Sequence, residues 1–349
     1  MKRLFSFFLI IILSLSLTAC SADSLFVAES TERESVITEF SALSEIKEGQ
    51  SNIYLIVKVV SSSYWQSIAK AVKAAGISEG CNVFWAGTDN DSDWKGQKVL
   101  VEEAIEKGAD AIILAPNDSV KLGESIKKAK ENGIPVVLVD TIVNNDSFDV
   151  CFMTENILAG KSAAEEMIIQ LENSGHTSDE DLVISIMAGN SSSQTVNERL
   201  AGFYQYWMKN APEKWHISDN LMSAEGDIAV DARTVEVFLE TNKNIVGVFG
   251  TNNGPTQAIA KTIADNERRD LVVVGFDFSD DIKKLVVSED YTASTIVQRQ
   301  FDMGYRAVVA AKELIADSKP ALKYYDTGVI VVNYDTYQDE DVQNVLANY

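Results

Sequence analysis

Histidine and cysteine are nearly missing from these 349 residues, which hold two His and three Cys. His176 and His216 fall in polar connecting segments, without the paired spacing of HExxH or a comparable zinc motif. The cysteines, Cys20, Cys81 and Cys151, match no metal spacing either. Positive charge is scarce: 30 Lys+Arg stand against 52 Asp+Glu, a net charge of −22. Nucleic acid needs a clustered basic surface, so DNA and RNA are excluded as partners, and an anionic membrane surface is disfavoured. The common catalytic loops are absent too. Gly189-Asn-Ser191-Ser-Ser193 lacks the closing Gly of a nucleophile elbow. Gly160-Lys161-Ser162 resembles the end of a phosphate loop, but Glu155 stands where its first Gly belongs. No GxGxxG follows the first strand, where Ser61-Ser62-Ser63-Tyr64-Trp65 is too bulky for a pyrophosphate. Asp89-Asn-Asp91-Ser-Asp93 alternates carboxylates, yet it has no Gly at the sixth position and no Glu at the twelfth. It reads as a polar turn capping the next helix, so no metal or other cofactor is expected.

What is present is an ordinary globular composition, 46% hydrophobic and 23% charged, long enough for about two domains. The N-terminus reads as an address. Lys2-Arg3 precedes an apolar run over 4–17, too short to span about 30 Å of hydrocarbon but suited to a signal peptide. The run ends in Leu17-Thr18-Ala19-Cys20, which resembles a bacterial lipobox and would make Cys20 a lipid anchor. The assignment is signal peptide over 1–19, then lipidated Cys and tether over 20–50. Without Lys2 and Arg3 the balance is 28 against 52, a net −24. Val36, Ile37, Phe40, Leu43 and Ile46 recur at helical spacing, so a short amphipathic helix is expected within the tether. Cys81 and Cys151 adjoin apolar strands and are expected as small buried hydrophobes rather than a disulfide.

From residue 53 strand and helix alternate. Apolar strands are expected at 53–60, 83–86, 111–115 and 135–140, with helices at 64–75, 95–107 and 119–132 between them. The second half repeats this with strands at 182–187, near 217–222, 246–250 and 271–277, and helices at 195–208, 229–240 and 255–264. Uninterrupted Val/Ile/Leu strands in βαβα order mean parallel sheets covered on both faces. The halves also rhyme: Ile134-Pro-Val-Val-Leu-Val-Asp140 answers Leu271-Val-Val-Val-Gly-Phe-Asp277, and Asn117-Asp118 answers Asn252-Asn253. Ligands of such sheets bind beyond the carboxyl ends of the strands, so two facing lobes would pool these ends in one polar cleft.

Those ends carry carboxylates, amides and flat rings, the groups that suit the hydroxyl edge and C–H faces of a neutral sugar. Tyr64 and Trp65 open the first helix; adjacent positions cannot both face the core, so at least one is assigned to the cleft. Asp140 and Asp277 close their strands, with turn capping as the alternative role. Of Asn252 and Asn253, one should cap the next helix and the other face a ligand. Arg199, in Asn197-Glu198-Arg199-Leu200-Ala201-Gly202-Phe203, could be a cleft cation or a solvated surface residue, and Gln298 ends a strand that crosses between lobes. An Arg and amides beside the two Asp would keep both ionised, which suits binding rather than acid catalysis.

In this order the residues resemble the sugar-binding lipoproteins of bacterial ABC transporters, of the ribose- and galactose-binding type. The resemblance spans 51–335. It rests on Tyr64-Trp65, Gly133-Ile134-Pro135-Val136-Val137 leading to Asp140, Thr154-Glu155-Asn156 before Ala159-Gly160, Glu198-Arg199 before Gly202-Phe203, Asn252, Val274-Gly275-Phe276-Asp277 and Thr295-Ile-Val-Gln298. It implies an α/β protein of two doubly wound lobes joined by three chain crossings, near Glu155, Arg299 and Asp326. The lobes would be 51–155 plus 299–325 and 156–298 plus 326–349. It further implies that Tyr64 and Trp65 stack on a monosaccharide, with Trp65 deepest, while Asp140, Arg199, Asn252, Asp277 and Gln298 grip hydroxyls and Ser62 stands where an Asn is usual. Thr141 replaces an expected Arg and Gly226 an expected aromatic, so one cation and half of a stacking pair are missing. The implied protein is a lipid-anchored, monomeric, extracytoplasmic receptor passing its sugar to an ABC permease. A sensor for a sugar-derived signal or a nucleoside, and more remotely a surface-anchored glycosidase, are the other readings.

Overall fold

A computed structural model describes residues 36–348; the apolar leader and Cys20 lie outside the described residues. The chain runs β1 (Ser41–Ala42), β2 (Ser51–Val59), α1 (Ser63–Glu79), β3 (Cys81–Thr88), α2 (Trp94–Glu106), β4 (Ala111–Leu114), α3 (Gly123–Glu131), β5 (Val136–Val139) and β6 (Val150–Met153). It continues through α4 (Asn156–Asn173), β7 (Leu182–Ala188), α5 (Gln194–Asn210), β8 (Trp215–Ile217), β9 (Met222–Ser223), α6 (Ile228–Thr241) and β10 (Ile245–Gly250). Then come α7 (Asn253–Asp265), β11 (Val272–Phe276), α8 (Asp280–Val286) and β12 (Thr292–Gln298). Last are α9 (Gln300–Ile315), β13 (Tyr324–Asp326), β14 (Val329–Asn333) and α10 (Glu340–Leu346).

Two sheets result, in the orders β1-β3-β2-β4-β5-β6-β13 and β14-β12-β11-β10-β7-β8, with β9 beside β7. Pairing is parallel except at β1/β3 and β12/β14. The strands are apolar on both faces because both faces are covered. In β2, Ile53, Leu55 and Val57 enter one core while Tyr54 and Ile56 enter another on the opposite side. In β11, Val273 and its neighbours Val272 and Val274 divide in the same way. The chain passes between sheets after β6, between β12 and α9, and between β13 and β14. Cys81 and Cys151 are buried free thiols on β3 and β6. The strand expected near 217–222 is two short pieces, β8 and β9, and His216 sits exposed on β8 rather than in a connection.

The helix expected between 36 and 46 does not form. Ser41–Ala42 instead pairs antiparallel with β3, and Phe40 lies edge-on against Tyr54 at 4.8 Å. A stretch this short is marginal as an isolated helix, while the open edge of β3 offers ready backbone partners.

Helices α4 and α5 pack tightly because each presents a glycine to the other. A Cβ on Gly160 would collide with the Arg199 carbonyl, and one on Gly202 with the Ile157 carbonyl. This contact sets the Arg199 backbone directly against α4. Gly202→Ala should therefore cost about 1–3 kcal/mol in denaturant unfolding through overpacking, where an exposed helical Gly→Ala change would stabilise.

Candidate functional site

The carboxyl ends of β2, β4 and β5 face those of β7, β10, β11 and β12 across a cavity of about 320 Å³. All eight residues singled out from the sequence line it: Ser62, Tyr64, Trp65, Asp140, Arg199, Asn252, Asp277 and Gln298.

Ser62 occupies the N-cap position of α1 without a side-chain capping bond. Both rings of the next turn line the cavity, and the premise that adjacent side chains cannot both pack into the core does not hold. Tyr64 is 3% and Trp65 6% exposed, packed edge to face with centroids 4.8 Å apart. The start of α1 is wedged between core and cleft, so side chains diverging by about 100° are both covered. The Tyr64 hydroxyl donates to Asp140 Oδ1 at 2.8 Å, and Lys58 Nζ lies 5.6 Å from the Trp65 ring centre.

Asp140 and Asp277 are equivalent in the two lobes beyond their place in the sequence. Each takes a left-handed backbone, φ 67° and 68°, and each N–H donates to the neighbouring strand, to Phe152 O and Ile296 O. A short side chain that bonds locally makes Asp one of the few residues tolerant of that conformation.

Their charge states differ. Asp140 accepts from Tyr64, from Lys58 Nζ at 2.9 Å and from the Thr141 hydroxyl at 2.6 Å, and Lys58 also donates to Thr141 at 2.7 Å. Burial pushes its pKa up, but Lys58, Arg199 and the Thr141 hydroxyl outweigh this and hold it below the ordinary 3.8. The cation that seemed missing with Thr141 is thus supplied from β2. Lys58 is the one charged residue in an otherwise apolar buried strand, and that was the available signal: a lysine there requires a partner.

Asp277 accepts from Gln298 Nε2 at 2.7 Å, and its own carbonyl accepts from Thr295 Oγ1 at 2.6 Å. Burial raises its pKa to about 6, only partly offset by Arg199 and Gln298, so Asp277 gives up its charge at a higher pH than Asp140 does. A pKa higher in the folded than in the unfolded chain contributes stability below about pH 4 that is lost as pH rises through 6, about 3 kcal/mol for this shift. Asp140 acts with the opposite sign, losing its contribution as pH falls below 3.8. Asp277→Asn should therefore remove a fall in unfolding free energy between pH 4 and 6.5 that the parent shows in urea titrations.

Arg199 is 2% exposed, which rules out the solvated reading. Its guanidinium lies 3.8 Å from the Phe276 ring centre, Nε donates to Asn156 Oδ1 and Nη1 to Thr251 O, both at 2.9 Å. Nη2 has no partner, and neither have Gln298 Oε1 and Asn117 Oδ1, all on cleft-lining residues. Buried polar atoms normally find a partner, so these three mark unsatisfied positions on the cleft wall. Asn252 holds the N-cap position of α7 but makes no capping bond. Asn253 Oδ1 accepts from Gln257 and Asn252 Oδ1 from the Thr251 hydroxyl at 3.1 Å, and both residues line the cleft.

Asn117, placed among the cleft's strand ends from the sequence without a role, lines the cavity, and so do Lys58, Asp89, Asp91 and Asn190, which the sequence reading did not place there. The Asp89–Asp93 turn does cap α2, through Asp93 accepting from Gly96 N at 2.8 Å, and its Asp89 and Asp91 line the cavity as well. Asn190 Nδ2 reaches across to the Asp91 carbonyl at 3.1 Å, so the lobes touch at this rim. Among the described residues no three His, Cys, Asp or Glu converge as metal ligands, and no helix is long and apolar enough to cross a membrane.

Two parallel-sheet lobes with three connections, and polar strand ends converging on one cleft, define a hinged solute-binding protein. Residues 53–319 match the periplasmic binding protein domain, and the chain belongs to that family. Similar proteins include the ribose import binding protein of Bacillus subtilis, 23% identical over 267 residues, 76% of this chain and 82% of its own length. The D-apiose import binding protein of Paraburkholderia graminis is 25% identical over 240 residues, 68% of this chain and 71% of its own. Among solved structures, an ABC transporter solute binding protein from Agrobacterium vitis with bound D-fucose is 29% identical with a TM-score of 0.77, covering 84% of this chain and 99% of that one. A carbohydrate transporter solute binding protein from Agrobacterium radiobacter, in complex with D-arabinose, shares the fold at a TM-score of 0.79 and 24% identity, covering 86% and 99%.

Proposed function

We propose that the protein is the extracytoplasmic receptor of a sugar importer, which takes one neutral monosaccharide-sized ligand into the cleft, closes on it and presents the closed form to an ABC permease. Family membership and sugar-binding relatives support this reading. The observation that carries it is the pairing of Asp140 with Asp277 from the two lobes, beside the unfilled Arg199 Nη2 and Gln298 Oε1. Ionised acceptors and charge-assisted donors grip hydroxyls strongly, and Trp65 offers a flat face for C–H groups. Tyr64 contributes mainly by holding Asp140. Asp140 is unsuited to be the acid of a glycosidase, since three donors hold it ionised. Lipidation at Cys20 keeps the receptor at the membrane, and the receptor acts as a monomer.

Thermal unfolding of the full chain with D-ribose, D-apiose, D-fucose, D-arabinose and xylitol tests the reading. A ligand at 100 times its dissociation constant adds about 2.7 kcal/mol of stability. Failure of every sugar and polyol to raise the melting temperature, with anionic metabolites doing so, would overturn it. Cys20→Ser should move the protein from the membrane to the soluble fraction with sugar affinity unchanged, as detergent-phase partitioning and calorimetry would report.

A further inference from the structure

Residues 36–46 lie outside the 53–319 family match, yet they are built onto the first lobe. The Thr38 N–H donates to Gly87 O at 3.0 Å and the Gly87 N–H to Thr38 Oγ1 at 3.1 Å. Ser41 and Ala42 pair with Trp85 and Phe84, and the Leu43 N–H donates to Val83 O at 2.9 Å. Phe40 packs on Tyr54, and Ile37 seats against Gly96 at the start of α2, where a Cβ would strike it. These contacts cover the outer edge of β3 up to its last residues.

The strap ends at the cleft. The Val36 N–H donates to Asp89 Oδ1 at 3.2 Å, and Asp89 and Asp91 both line the cavity. The loop that carries them starts where the strap holds Gly87 and ends at Asp93, the cap of α2 beside Ile37 and Gly96. The Asp91 carbonyl in turn receives Asn190 from the opposite lobe. Loops owe their geometry to the elements that hold them: Thr88 and Asn117 donate to the Asn90 carbonyl of this one, and the strap joins it at Gly87 and Asp89.

We propose that the 36–46 strap is a positioning element of the binding cleft: it fixes the end of β3, and through it Asp89, Asp91 and the rim contact to Asn190, so that ligand affinity depends on a segment the family domain does not include. This rests on reading the cleft as the sugar site. The test uses the full chain with Ile37→Ala/Phe40→Ala, which undocks the strap, and with Thr38→Val beside Thr38→Ser, which keeps the hydroxyl. Amide hydrogen exchange over 88–93 should quicken about tenfold or more in the double variant, with α4 and β10 unchanged, as local rather than global opening requires. Calorimetry with whichever of D-ribose, D-apiose, D-fucose, D-arabinose and xylitol the parent binds should show affinity about 3- to 30-fold weaker in the double variant. Thr38→Val should show a smaller loss that Thr38→Ser restores. Loss of protection at Thr38 and Leu43 with unchanged exchange over 88–93 and unchanged affinity would overturn the proposal. If the double variant opens globally, the Thr38 pair decides by the same two readouts. A parent that binds none of these probes refutes the sugar reading instead, and the exchange result still decides the role of the strap.

Discussion

Arg199→Met is expected to weaken sugar binding by at least about 100-fold, through two losses that act together. The first is Nη2, the unpartnered charged donor on the cleft wall. The second is indirect: Arg199 is the main group restraining the rise in the Asp277 pKa, already at about 6. Without it the carboxyl rises further and is neutral over more of the working range, so an ionised acceptor is lost with the donor. Methionine keeps the apolar stem against Phe276, which limits damage to packing. It leaves Asn156 Oδ1 and Thr251 O without their donor, so stability should fall by about 1–3 kcal/mol as well. Calorimetry across pH 5.5–8 separates the effects: the loss relative to the parent should be the same at every pH if only the donor matters, and should grow toward low pH if Asp277 is involved. An affinity within about threefold of the parent's would place the ligand away from Arg199.

The second large effect concerns the ion pair beneath Trp65. Lys58→Met should destabilise the fold by about 3–5 kcal/mol, because Asp140 is left buried with its charge unmatched. Most of that loss should return in Lys58→Met/Asp140→Asn, where no charge remains to be desolvated. Asparagine accepts the left-handed backbone, its Oδ1 can still receive the Tyr64 hydroxyl, and its Nδ2 can donate to the Thr141 hydroxyl that Lys58 no longer occupies. Urea unfolding of the parent, both single variants and the double variant gives the coupling directly. Additive losses would show that the two side chains do not depend on each other. The double variant should refold well and bind sugar poorly, which separates the role of the pair in stability from its role in recognition.

The alternation of elements was readable from composition and period because both faces of each sheet are buried, so the strands are continuous apolar runs. The cleft residues were readable for a related reason. Asp140, Asn252, Asp277 and Gln298 each stand at the carboxyl end of such a run, and in parallel sheets that end is where a ligand can reach backbone and side chain together. Misreadings arose where local pattern competed with a distant partner. The spacing of Val36, Ile37, Phe40 and Leu43 fits a helix, but the segment lies along an edge formed 40 or more positions later, at Val83–Gly87. Lys58 was passed over because its partners, Asp140 and Thr141, are 82 and 83 residues away.

The sequence by itself therefore determined which segments become strands and helices, that two similar halves result, and which polar side chains stand at the strand ends, since these depend on periodicity and order along the chain. Only the tertiary structure decided how those groups are charged and paired. The same residue type at the same place in each lobe becomes a saturated, firmly ionised carboxylate at Asp140 and one titrating near 6 at Asp277. The difference comes from Lys58, which a neighbouring strand delivers to Asp140 at 2.9 Å, whereas Gln298 gives Asp277 a hydrogen bond without a charge. Electrostatic energy in a buried site is set by distance and desolvation, and neither is written in the order of residues.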